Sequence, residues 1–301
     1  MASAGLKIVL PSNFTDTSLP VLRDDAILST GSLVLLDVAH SATPATGFLL
    51  PAGAPINASV LYNAAYKECA AILGSGTAAS LAGSFGVSGA INNGTKGKLE
   101  RTALGGIHGI VSQATALAAN DGATMNIASA IRTYIAANPN HSYYLSQWDR
   151  ITRANTGTNA GALTIDTQGG GTFANQLLYM RQDTGWSLAG AGSRNSPTLN
   201  TLGNRISNGA IAASSASTYS ASGAQFGAIW GASGVNAGLL VSRNNNWPSF
   251  AFYRLYLEDL TVSGRSYATV DALDNSLWTA AFAAGGRYAS DTITTAVSTI
   301  P

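Results

Sequence analysis

Hydrophobic and polar positions alternate most strictly over Ser249–Ser263, SFAFYRLYLEDLTVS. Ala251, Tyr253, Leu255 and Leu257 fall on one face of an extended chain. Phe250, Phe252, Arg254, Tyr256 and Glu258 fall on the other. A two-residue period with aromatics and no internal Gly or Pro predicts a strand. It exceeds the usual strand length of about five or six residues, which predicts a long central strand that bends near Leu260.

The same period recurs elsewhere. Ser29–Val38 (STGSLVLLDV), Leu104–Gln113, His141–Thr152, Asn175–Gln182, Asn204–Ala212, Ala224–Trp230 and Gly238–Ser242 read as strands, separated by Gly, Ser and Asn loops. In 141–152, Tyr143, Leu145, Gln147 and Asp149 alternate against Tyr144, Ser146, Trp148 and Arg150. Helical spacing appears three times. Ile56–Leu73 carries Val60, Leu61, Ala64, Ala65 and Ile72 on one face and stops at Gly74. Ala123–Ala137 carries Ile127, Ile131, Tyr134 and Ile135 and stops at Asn138-Pro139. Tyr267–Ala284 has a Ser263 or Ser266 cap, an inner stripe of Val270, Leu273, Leu277 and Ala281, and Asp271 and Asp274 near its positive end. Strands at this spacing without alternating helices predict an antiparallel sandwich or barrel, not a Rossmann sheet. The tail, Arg287–Pro301, is expected to add at most one edge strand.

Three units follow. Residues 1–55 hold five of the nine prolines and read as an extended attachment arm. Its apolar run, Leu33, Val34, Leu35 and Leu36, is the candidate assembly surface, packed on its own domain or docked on another subunit. Residues 56–97 read as a helix and a Gly/Ser-rich connector. Residues 98–301 form the β domain.

Composition narrows the function. Charged residues make up 10% of the chain, against about 25% in ordinary soluble proteins, so much of the surface suits contact with neighbours. A net charge of +1 gives no electrostatic case for nucleic acid or an anionic membrane. Cys69 is the single cysteine, which excludes an intramolecular disulfide and a cysteine-rich metal site and fits folding in a cytosol. The opening residues carry too short an apolar run for a signal peptide or a membrane span.

Candidate chemistry is sparse. The glycine-rich GSGTAASLAGSFGVSG lacks the lysine ending of a phosphate loop. His40, His108 and His141 show no metal-ligand spacing, so no metal or other cofactor is expected. Glu258 and Asp259 are adjacent and point to opposite faces of a strand, so without a bulge they cannot share a hydrolytic cleft; a solvated or salt-bridged strand end is expected. Aromatics beside amides suit sugar recognition, which makes Trp230, Asn244, Asn245 and Trp247 candidate glycan-binding residues, with burial of each Trp in a sandwich core as the alternative.

FAFYRLYLEDLTVSGRSYATVDALD resembles the closing strand and following helix of phage virion proteins with a concanavalin A-like (laminin G-like) jelly roll. TGSLVLLDVAHSATP resembles the opening of phage tail structural proteins. Together these cover 40 of the 301 residues. The resemblance implies a mainly β protein, an antiparallel jelly-roll sandwich with an extended proline-rich N-terminal arm and a few short helices. It implies a non-enzymatic virion component of the tail, baseplate or a tail fibre, made in the host cytoplasm, contacting other virion proteins and forming a homo-oligomer, a trimer in fibres. A host-surface glycan-binding module and a capsid decoration protein are the alternatives, with a glycosidase behind them.

Overall fold

The computed structural model describes residues 25–38, 59–118, 121–154, 156, 163–165, 178–180, 202–212, 226–231 and 248–301. The expected strand at Gly238–Ser242 lies outside them. Two antiparallel sheets and several helices make up the fold. The first sheet has the order β10 (Asn204–Ala212), β7 (Ser142–Arg153), β12 (Ser249–Asp259), β5 (Ile107–Val111), β4 (Gly97–Arg101), with β1 (Ser32–Asp37) also paired to β12. The second runs β2 (Ser59–Leu61), β3 (Gly83–Ser88), β6 (Gly122–Asn126), β11 (Phe226–Gly231), β8 (Leu163–Ile165), β9 (Leu178–Met180).

Strand β12 is the axis of the first sheet. Every one of its residues is buried. One edge pairs with β7 along its length. The other pairs with β5 at Phe250–Phe252 and with β1 at Arg254–Glu258. The neighbour changes at Tyr253, whose carbonyl accepts from Val38 N at 3.1 Å. A register shift between Phe252 and Arg254 marks a bulge there.

The bulge corrects the simple alternation. An inserted residue turns two consecutive side chains toward one side. Tyr253 and Arg254 both reach the helix-covered face: Tyr253 packs on Phe282 at 5.2 Å, and Arg254 lies 4.5 Å over Trp148, which itself packs on Phe282. Phe250 faces the other way, toward the second sheet, and stacks on Trp230 of β11 at 4.6 Å and 14°. The Trp230 Nε1–H donates to Phe250 O at 3.1 Å. A side chain at Gly109, opposite Phe250, would collide with the Trp230 ring, so this position must stay bare for the sheets to close.

The remaining differences from the sequence expectation are local. The helix expected over Ile56–Leu73 is strand β2 followed by α1 (Tyr66–Leu73). Buried Asn63 breaks it. Its amide accepts from Leu35 N (2.9 Å) and Ala65 N (3.0 Å) and donates to Leu33 O (3.0 Å) and Leu81 O (3.3 Å). Four bonds satisfy the whole amide and seal the edge of β1 that β12 leaves open. The expected helix over 123–137 begins as β6, an inner strand between β3 and β11, and becomes α2 (Ser129–Ala137) only afterwards. The connector likewise holds β3.

Beyond β12, Asp259 accepts from Thr261 N and Val262 N and starts the short helix α3 (Leu260–Ser263). Ser266 then caps α4 (Tyr267–Phe282), accepting from Thr269 N at 3.2 Å. The tail forms no strand. It crosses the first sheet through Thr292 O to Ala103 N, Thr295 N to Glu100 and Pro301 O to Gln113 N.

Candidate functional site

The helix-covered face of the first sheet concentrates most of the chemistry. Strands β7, β10 and β12 contribute alternate side chains, and α4, the tail and the N-terminal segment close over them. Three ionic nodes result.

The first is centred on Arg254, 1% exposed. Its guanidinium donates to Asp25 through both terminal nitrogens (2.9 and 3.1 Å) and to Asp37 at 3.0 Å. Asp37 also accepts from Arg287 (2.5 Å) and Tyr288 (2.8 Å). Burial alone would lower the guanidinium's proton affinity; the two carboxylates outweigh it and raise it. Burial pushes the Tyr288 phenol up, and Asp37 adds to that. Asp25, Arg254 and Arg287 line a cleft of about 260 Å³ together with Leu277, Ala280 and Ala281 of α4.

The second node joins β7 and β10 to α4. Arg205 donates to Asp271 (2.6 Å) and Asp274 (3.3 Å). Tyr144 and Trp148 donate to Asp274 at 3.0 and 3.1 Å, and Ser207 donates to Asp271 at 2.6 Å. Burial raises the Asp274 carboxyl despite Arg254 and Arg205. For Asp271 the order reverses: burial raises it, but Arg205 and Ser207 bring it below the ordinary range. Asp274 is thus fully buried against the sheet, not an exposed partner of the helix dipole.

The third node is at the far end of β12. Glu258 accepts from Ser29 (2.8 Å), Tyr256 (2.8 Å) and Arg265 Nε (2.9 Å). Arg265 also bonds Ile27 O at 2.8 Å. Asp259 points to the opposite face, as expected of neighbours on a strand, and accepts from Tyr134 (2.8 Å) and His141 Nδ1 (2.7 Å). Both carboxylates are buried and none of this strand end is solvated.

A fourth cluster lies under the tail. Buried His108 sits between Glu100 (3.0 Å) and Thr152 (2.9 Å). Burial would raise the Glu100 carboxyl; bonds from His108 and Thr295 outweigh it and hold it down at about 2. Sequence spacing left His108 isolated, because Thr152 and Thr295 reach it and Glu100 from 44 and 195 positions away.

The sequence-derived sites fare unevenly. Trp230 is fully buried, one ring face on Phe250 and an edge against Phe85, so it offers no stacking platform for a sugar. Asn244, Asn245 and Trp247 lie outside the described residues. Leu33, Val34, Leu35 and Leu36 are all buried in β1 against β12 and the Asn63 turn, not displayed as a surface. Cys69 is buried in α1, which pushes its thiol up to about 12. Among the described residues, no cluster of three or more His, Cys, Asp or Glu is placed to hold a metal ion. No described helix is long and apolar enough to cross a membrane.

The chain matches no known family model and no curated protein sequence.

Proposed function

We propose that this chain is a structural component of a phage particle, in the tail or baseplate, whose two sheets are the layers of a concanavalin A-like jelly roll. One observation carries the reading. The residues that bear the resemblance, FAFYRLYLEDLTVSGRSYATVDALD, fold as one continuous unit of strand, capped turn and capped helix, and its strand is the centre of the first sheet. The Trp230–Phe250 stack joins β11 of the second sheet to β12 of the first, which supports the layered reading.

The role is mechanical rather than catalytic. Both carboxylates that a hydrolase would draw from β12 are engaged: Glu258 holds Arg265 and Ser29, and Asp259 caps α3 and holds Tyr134 and His141. The ion pairs tie elements that are distant in sequence, which resists the shear and peeling that a particle component experiences.

Immunogold microscopy of purified particles, with antibody raised against this chain, tests the proposal. Gold at the tail end supports it. Gold on heads alone makes the chain a decoration protein, and particles that carry no label overturn the virion assignment.

A further inference from the structure

The N-terminal segment grips β12 as a clip. Residues 25–29 run over its helix-covered face in step with it: Asp25 meets Arg254, Ile27 O meets the Tyr256 hydroxyl, and Ser29 meets Glu258. The chain then reverses at Gly31, where a side chain would collide with Asp259 O. It returns along the edge of the same strand as β1, from Ser32 opposite Glu258 to Asp37 opposite Arg254. All six residues of β1 are buried.

The slot that holds the clip is built entirely by distant chain. Its walls are β12, the α3–α4 turn with Arg265, the tail with Arg287 and Tyr288, and Asn63. In sequence the nearest wall residue is Asn63, and residues 39–58, twenty in all, separate the clip from β2. A connection of that length reaches at most roughly 72 Å when fully extended. Nothing in the slot distinguishes the clip of its own chain from that of another. Every strand bond and ion pair described for the clip would be retained on exchange, so for the described residues the two arrangements differ in connection entropy and local concentration.

We propose that copies of this chain assemble by exchanging the clip, residues 25–38, so that each copy's β1 completes the first sheet of a neighbour. This rests on the reading of the chain as a particle component, where local concentration is high. It also gives the buried Leu33–Leu36 run an assembly role that an exposed patch would not.

Val34 and Leu257 face each other across the β1–β12 ladder. The test mixes two full-length variants of different tag size, V34C and L257C, unfolds and refolds them together at high concentration, and oxidises them. Oxidation follows refolding, when Cys69 is buried and out of reach. Exchange predicts a mixed two-chain disulfide species on a non-reducing gel, absent when the two variants are folded separately. The V34C/L257C double variant then gives linked chains. A double variant that closes only within its own chain, together with no mixed species, overturns the proposal. If either cysteine prevents folding, seen as loss of the cooperative melt, L36C and L255C occupy the next facing pair. Chains that cross-link only internally but label particles refute exchange and leave the virion role. Chains that exchange but label no particle do the reverse.

Discussion

Replacing Arg254 with Met tests the ionic clip at its centre. The side chain is 1% exposed, and its partners Asp37 and Asp25 are 0% and 10% exposed at their side chains. Met keeps the volume and much of the packing on Trp148 but removes the charge. Removing one member of a buried ion pair costs about 3–5 kcal/mol, because the other charge stays buried without compensation. Here Asp37 keeps Arg287 and Tyr288, and Asp25 reaches water, which places R254M near the lower limit, about 3 kcal/mol. Loss of the desolvated cation–π contact with Trp148 adds to it. At about 1.4 kcal/mol per tenfold, that is a change of roughly a hundredfold in the folded-to-unfolded ratio. Urea unfolding followed by tryptophan fluorescence reads it directly. A double-mutant cycle with D37N isolates the pair. D37N alone is destabilising, because it breaks the pair with Arg254. In R254M it costs less, because the pair with Arg254 is already gone and only the bonds from Arg287 and Tyr288 are weakened. An R254M loss below 1 kcal/mol, or additive costs in the cycle, refutes the reasoning.

Other positions give sharp outcomes. Glu100 is held down at about 2 in the fold and returns to about 4.3 when unfolded, so its contribution of about 3 kcal/mol is present above pH 4.3 and lost as pH falls through 2. The stability gap between wild type and E100Q should therefore be widest near neutrality, narrow below about pH 4 and close toward pH 2; a gap that does not change with pH contradicts this. G109A forces a methyl into the Trp230 ring and should lower stability by about 1–3 kcal/mol in thermal or urea melts, whereas ordinary strand positions gain from Ala over Gly. N63A strands the amide and carbonyl groups of Leu33 and Leu35 that Asn63 serves; a loss of roughly 2–4 kcal/mol is expected from the same melts.

Strong periodicity was readable. Strand β10 has the bounds the alternation predicts, and α4 starts at its Ser266 cap. Short apolar runs were not. GATMN satisfies helix and strand templates alike, and it became β6 through pairing with Ser84–Ser88 of β3 and Ile229–Gly231 of β11, distant in sequence on either side. The bulge at Tyr253 left no mark in sequence, because it arises where β12 exchanges one neighbour for another. Ser29–Val38 showed itself as a strand, but its partner lies more than 200 positions on, so an arm and a core strand looked alike. Asp274 occupies an acidic position near a helix start, and only the arrival of Arg205, Tyr144 and Trp148 makes it a buried node.

The central claim is that residues 25–38 are part of the core of the first sheet. Hydrogen exchange of the intact protein, read by mass spectrometry over peptides covering Leu33–Leu36 and Arg254–Glu258, tests it most directly. Both should open together, with the same protection as the global unfolding of the first sheet. Leu33–Leu36 amides that exchange orders of magnitude faster than those of β12 would contradict it.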